Sequence, residues 1–152
     1  MSKFVRAALR TGGVGFTPEG GILHRYVNHT GAPSIKGTVV GHSTQFNDSV
    51  SLPSSPFAAT GVIYENGVPD GNLCNVVIHG KAWVRTENNI EIKNGYWVGA
   101  STVTPGTALA ADEPPGGGFA GLTQEHFREI GHCCTYRAAG SSALILIQIH
   151  FL

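Results

Sequence analysis

The carboxyl-terminal stretch, residues 143–152, is the most constraining feature of this sequence. It reads ALILIQIHFL and contains no charged residue and no proline. Because successive side chains of a strand point to opposite faces, this stretch predicts a strand that is apolar on both faces. Ile145, Ile147, Ile149 and Phe151 share one face. A strand of this kind must be covered on both sides, and left as an open edge it is an aggregation hazard.

Two arrangements could cover both faces of this strand. One is a central strand enclosed wholly within a single chain. The other packs one face on the chain's own core and the second face on another subunit, and we favour it because each buried Leu or Ile contributes about 1.5–3 kcal/mol. The predicted subunit interface consists of Leu144, Leu146, Gln148, His150 and Leu152.

The rest of the chain predicts a single all-β domain, either a small β-sandwich or a barrel. Its 152 residues include 21 Gly and 8 Pro, which favours many turns and little helix. Short apolar runs recur every 8–12 residues in the middle of the chain, the spacing of a sandwich or barrel. Gly80-Lys81 lies between the runs NVVIH and AWVRT. Gly first in a two-residue link predicts a tight hairpin there.

Three segments depart from this strand pattern. Residues 1–22 are Gly-rich and basic, and they predict an extended arm preceding a β domain over residues 23–152. Residues 43–59 predict a looped excursion. Residues 102–123 contain Pro114-Pro115 and Gly116-Gly117-Gly118 and predict a long Gly/Pro-rich loop. Residues 124–131 favour a strand over a helical turn.

Charge and hydropathy exclude several classes of partner. Ten basic residues balance ten acidic ones, whereas a nucleic-acid binder typically carries a basic excess. There is no apolar run of the length that spans a membrane. The first residues lack the apolar stretch of a signal peptide, so we expect synthesis in a cytoplasm. The sequence therefore predicts neither a nucleic-acid nor a membrane partner.

No motif for catalysis, metal binding or cofactor binding stands out. The sequence has no CxxC, HExxH, GxSxG or phosphate-loop pattern, so we expect no enzyme, no metal site and no cofactor. In a regular strand His126 and His132 would share one face, and Glu125 and Glu129 the other. A small hydrolase built on His132 and the neighbouring Cys133 or Cys134 is a weaker alternative.

The two tryptophans, Trp83 and Trp97, lie in the middle of predicted strands. Core or interface positions are the simpler interpretation. The alternative is a carbohydrate-binding module in which both tryptophans and the 102–123 loop contact a sugar.

Three stretches resemble the decoration, or cement, proteins of tailed-bacteriophage capsids. They are NVVIHGKAWVRTENN (75–89), NGYWVGAST with PGTA (94–108), and HFREIGHCC with the terminal ALILIQIHFL (126–152). The resemblance implies a non-enzymatic virion protein on the outer capsid surface, usually a trimer. Its partner would be the major capsid protein, whose neighbouring subunits it would clamp. The alternative interpretation is another virion component, such as a tail, fibre or baseplate adaptor.

The amino-terminal arm is the expected capsid contact in this interpretation. A basic, Gly-rich arm is typical of a segment that becomes ordered on a partner. The predicted contact residues are Phe4, Val5, Arg6, Leu9 and Arg10.

Overall fold

The computed structural model describes residues 14–87, 90–112, 129–140 and 143–150. These residues form ten strands and one short 3-10 turn, Pro56–Ala58, and the all-β prediction is confirmed. No helix within those ranges has the length and hydropathy needed to cross a bilayer. The strands are β1 (Gly15–Phe16), β2 (Gly21–Asn28), β3 (Val39–His42), β4 (Ser49–Ser51), β5 (Gly61–Ile63), β6 (Leu73–Arg85), β7 (Trp97–Ala100), β8 (Ala108–Ala111), β9 (Glu129–Cys133) and β10 (Leu144–Ile149).

The first half of the sheet closes into a ring of five strands. Hydrogen-bonded neighbours run β2-β4-β3-β5-β6, and β6 pairs again with β2. The β2–β4 pairing is parallel and the other four are antiparallel. A sheet that returns to its starting strand leaves no open edge within the ring, and this is the connectivity of a small barrel.

The second half is a further five-stranded arrangement that shares β6 with the first. Its order is β6-β10-β9-β7-β8. A parallel bridge between Thr86 and Ala108 connects β8 back to the end of β6. Beside that bridge the Glu87 carboxylate accepts hydrogen bonds from Ser101 at 2.7 Å and Thr107 at 3.1 Å. Burial raises the pKa of Glu87, but its hydrogen bonds with Ser101, Thr104 and Thr107 outweigh burial, and the net pKa is lowered.

The predicted hairpin at Gly80-Lys81 is wrong. β6 runs without a turn through both apolar runs, and Gly80 lies inside it with φ of 84°. Gly80 pairs with Gly21 of β2 and with Ile149 of β10. It is therefore the point at which β6 leaves the five-stranded ring and enters the second five-stranded arrangement. A side chain there would also collide with the Gly20 carbonyl oxygen. Glycine is therefore required for a bend within one strand rather than for a reversal.

Strands also form in segments that the sequence assigned to loops. β4 and the 3-10 turn lie within residues 43–59, and β8 lies within residues 102–123. β1 and the start of β2 lie in the segment assigned to the arm, so β structure begins at Gly15. Residues 1–13 and 113–128 lie outside the described residues. Each of these two short strands pairs with the strand that precedes it in the chain, β4 with β3 and β8 with β7, and it is held by packing that local composition does not report.

Most of the buried apolar side chains belong to one cluster that spans the ring and the second five-stranded arrangement. It joins Leu23, Val39 and Val77 of the ring with strands of the second arrangement. Ile145, Ile147 and Ile149 are each 0% exposed within it. The inner face of β10 is thus covered by the chain's own core.

Candidate functional site

The opposite face of β10 continues into a half-buried surface that we call the outer face. Residues directly paired across strands share one side of a sheet. Leu146 is paired with Trp83, Gln148 with His132, and His132 with Trp97. The outer face includes the half-buried residues Trp83, Arg85, Leu144, Leu146, Gln148, His150, His132, Cys134 and Trp97, and the exposed Lys81, which pairs with Gln148.

The structure places four of the five predicted interface residues on the outer face. Leu144, Leu146, Gln148 and His150 are partly accessible, in contrast with the enclosed isoleucines that alternate with them. Leu152 and the predicted capsid contacts Phe4, Val5, Arg6, Leu9 and Arg10 lie outside the described residues. Whether another chain covers the outer face stays a prediction.

A bulge in β9 changes which of its side chains reach the outer face. Val98 of β7 pairs with Gly131, but the next residue, Gly99, pairs with Glu129, so one residue of β9 has no partner on β7. Gly131 has φ of 155°, and a Cβ there would meet the Gln148 carbonyl oxygen. The extra residue resets the alternation of side chains.

This reset contradicts the expectation that Glu129 and His132 point to opposite sides of the strand. Glu129 Oε1 lies 3.1 Å from His132 Nε2 and 3.1 Å from His150 Nε2. The assumption of regular alternation hid this cluster, because residues three apart in a strand face the same side only across a bulge. A glycine two residues after a glutamate within an apolar strand is a weak sequence signal for such a bulge.

The cluster of Glu129, His132 and His150 is enclosed on one side and open on the other. The glutamate side chain is 0% exposed, whereas the histidine side chains are 37% and 35% exposed. The two imidazole centroids are 5.1 Å apart, and Trp97 packs against His132 at 4.5 Å in an edge arrangement. The outer side of the sheet therefore offers two accessible imidazoles above one buried carboxylate.

Such an arrangement has two chemical uses. A carboxylate out of contact with water needs hydrogen-bond donors or a cation nearby. The two imidazoles can donate to it, or all three groups can turn their lone pairs toward one metal ion, since each offers one ligand atom and these atoms lie within 4.8 Å of one another. The sequence had indicated no metal site because the three residues match no ligand spacing.

The cysteines are poorly placed for the hydrolase alternative. The Cys133 side chain lies in the core cluster and donates to the Thr135 carbonyl oxygen, while its neighbour His132 is on the outer face. Burial raises the pKa of the Cys133 thiol, which reduces its thiolate fraction. Cys134 is on the outer face, and its thiol is 3.7 Å from the His132 carbonyl oxygen.

The two tryptophans of the carbohydrate-binding alternative lie apart from each other on the outer face, and that alternative stays a prediction. Trp83 on β6 and Trp97 on β7 are separated by β10 and β9. Three interstrand spacings of about 4.8 Å separate their backbones by about 14 Å across the strands, and the two positions are also offset by two residues along β10. Of the 102–123 loop, the structure describes residues up to 112, which include β8.

A cavity between the loops is also too small to be the main site. It has a volume of about 180 Å³ and is lined by apolar residues such as Ile35, Leu52 and Pro105. Pockets for small ligands usually enclose about 300–1,000 Å³. The outer face with its carboxylate–imidazole cluster is the better candidate.

Comparison with known proteins gives a similarity of fold. No protein-family model and no curated protein match the sequence. Among solved structures, the chain is similar to the head fibre gp8.5 N base of bacteriophage phi29, with a TM-score of 0.53 and 16% sequence identity. The match covers 84% of this chain and 92% of the phage chain. The two chains therefore share a fold over most of their length.

Proposed function

We propose that the chain is a structural protein of a tailed-phage virion, located on the outer surface of the capsid as an oligomer. The observation that carries the proposal is the fold shared with the head fibre base of phage phi29 over 84% of this chain. The short motifs in residues 75–89, 94–108 and 126–152 resemble those of capsid decoration proteins, and this resemblance supports the proposal. On this proposal the protein is not an enzyme and needs no cofactor to stabilise the head.

Self-association is the role proposed for the outer face. Leu144 and Leu146 are half-buried at its apolar end, beside Trp83, and they are separated in sequence by the fully enclosed Ile145. Completing the burial of such side chains stabilises an assembly by a fraction of the about 1.5–3 kcal/mol of a full Leu burial each. A second copy of the chain is the proposed cover, and a homotrimer is the proposed closed assembly.

Binding to the major capsid protein is the role proposed for the amino-terminal arm. Its predicted contacts, Phe4, Val5, Arg6, Leu9 and Arg10, all precede β1 at Gly15. A protein that binds only the assembled lattice stabilises it by about 2.7 kcal/mol per site at a hundredfold excess over Kd. The balanced charge of ten basic and ten acidic residues fits contacts of this kind and not binding to nucleic acid.

Two variants separate the two proposed contacts. The deletion of residues 1–13 removes the part of the predicted arm that precedes β1, including all five predicted capsid contacts, and Leu146→Glu places a charge on the outer face. The test is co-sedimentation with heads assembled without this protein, from the virus that encodes it, together with the mass of each free variant. We expect the deletion to lose head binding and remain oligomeric, and Leu146→Glu to become monomeric.

The results can also contradict either role. If the deletion variant decorates heads as the full chain does, the arm is not the capsid contact. If Leu146→Glu keeps the mass of the wild type, the outer face is not the subunit interface. If the full chain does not sediment with heads at all, the proposal of capsid binding is wrong.

A base for a head fibre is the second candidate function. It is favoured by the identity of the structural neighbour, which is described as the base of a head fibre. Electron microscopy of virions labelled on this chain distinguishes the two: a decoration protein gives label spread over the capsid lattice, and a fibre base gives label at the root of projecting fibres.

A further inference from the structure

We propose that Glu129, His132 and His150 form a binding site for a divalent transition-metal ion of the zinc class. This site shares the outer face, and the predicted interface residue His150, with the proposed subunit contact, but its metal binding does not require the proposed virion function. It rests on the convergence of three ligand-type side chains from β9 and from the end of β10.

The distances in the cluster fit a metal-binding geometry. The Nε2 atoms of His132 and His150 are each 3.1 Å from the same oxygen of Glu129. Zinc binds nitrogen at about 2.0–2.1 Å and oxygen at about 2.0–2.2 Å, so two ligands at a tetrahedral angle are about 3.4 Å apart. Each imidazole nitrogen is therefore within about 0.3 Å of the separation from the Glu129 oxygen that two zinc ligands require.

The chemistry of the donors selects the kind of ion. Two imidazole nitrogens and one carboxylate oxygen suit zinc and its neighbours among the transition metals, whereas magnesium and calcium prefer sites made of oxygen ligands. Two His and one Glu is also a ligand set with a position left open. Because both histidines are about one-third exposed and Glu129 is enclosed, the open position faces the outer side of the sheet.

The backbone around the cluster holds the ligands in place. The His150 amide donates to the Ile130 carbonyl oxygen at 3.0 Å, which fixes the end of β10 against β9. Trp97 packs against the His132 ring from β7 and restricts its rotation. A site whose ligands are held in this way loses little side-chain entropy when an ion binds.

The competing arrangement is a purely structural one, in which both imidazoles donate N–H hydrogen bonds to the Glu129 carboxylate. It accounts for the same 3.1 Å distances, but it provides no specific affinity for a metal ion. The two arrangements are therefore separated by measuring binding of the metal alone.

The experiment is calorimetric titration of the full chain with ZnCl₂, with MgCl₂ as the comparison ion. We expect one Zn²⁺ per chain and no magnesium binding. His132→Ala and His150→Ala should each weaken zinc binding by more than about tenfold, a loss already seen when only an outer partner of a metal ligand is removed. His79→Ala is the matched control, because His79 is exposed on β6 and outside the cluster, and it should bind as the wild type does.

Nitrogen NMR of the seven histidines in the wild-type chain provides a readout that does not depend on the folding of any variant. Zinc should shift the Nε2 resonances of His132 and His150. The proposal is overturned if zinc does not bind, if neither resonance moves, or if His79→Ala weakens binding as much as the cluster variants do.

Discussion

The two faces of β10 have nearly the same apolar character in the sequence and different environments in the fold. Ile145, Ile147 and Ile149 are fully enclosed by the core, whereas Leu144 and Leu146 on the other face are only half-buried. The isoleucines belong to the core cluster that both five-stranded arrangements share, and the leucines alternate with them on the opposite side of the sheet. Apolar composition alone therefore predicts that both faces of β10 must be buried. The fold shows that the chain's own core buries the isoleucine face.

Removing a side chain from each face gives the largest expected contrast. Ile147→Ala should lower the free energy of unfolding by about 2–5 kcal/mol, because it leaves a cavity in the core. Leu146→Ala, its neighbour on the outer face, should cost less than about 1.5 kcal/mol. The measurement is urea denaturation of both variants at the same protein concentration. Equal losses would mean that the two faces are buried alike.

The bulge that separates the faces of β9 can be tested by Gly131→Ala. The new Cβ would press on the Gln148 carbonyl oxygen, so β9 and β10 must shift apart, and we expect a loss of about 1–3 kcal/mol in stability. Gly95→Ala is the matched control, because Gly95 also has a positive φ, of 84°, but open space around its Cβ position. Thermal unfolding of the two variants gives the comparison. Gly131→Ala and Gly95→Ala with the same melting temperature would contradict this account of the bulge.

The reactivity of the cysteine thiols compares the two faces without a substitution that changes the stability of the fold. Cys133 is buried in the core and Cys134 lies beside Leu146 on the outer face. Burial raises the pKa of Cys133, and it raises that of Cys74 to about 12, so both thiols stay protonated near neutral pH. We expect a thiol reagent at pH 8 to modify Cys134 alone in the folded monomer.

Self-association would lower the expected rate of Cys134 modification. If a second copy covers the outer face, Cys134 should react more slowly in the wild type than in Leu146→Glu, while Cys133 and Cys74 stay unreactive in both. Mass spectrometry of the modified peptides identifies the site. Modification of Cys133 at the rate of Cys134 would show that the two residues are not on opposite faces.

The sequence predicted the fold class and the alternation of β10 because both depend on local patterns. The main errors of the sequence-based prediction arose at two glycines, Gly80 in β6 and Gly131 in β9. Gly80 has the neighbours of a hairpin glycine, yet it bends a continuous strand, because β2 and β10 both pair with it from distant parts of the chain. Local composition does not distinguish a reversal from a bend.

The candidate site was missed for a related reason. His150 is separated from Glu129 by 21 positions, and it reaches the carboxylate only through the pairing of β10 with β9. Glu129 reaches the outer face only through the bulge near Gly131. The β9–β10 pairing register and the single unpaired residue of β9 bring Glu129 and the two histidines together. Neither feature can be predicted from the spacing of these residues along the sequence.

Sedimentation equilibrium of the 152-residue chain at micromolar concentration tests whether another copy of the chain covers the outer face. We expect a mass that is a small multiple of 16.0 kDa, three times for a trimer, and a return to 16.0 kDa for Leu146→Glu. A wild-type chain that sediments at 16.0 kDa throughout this range would contradict it.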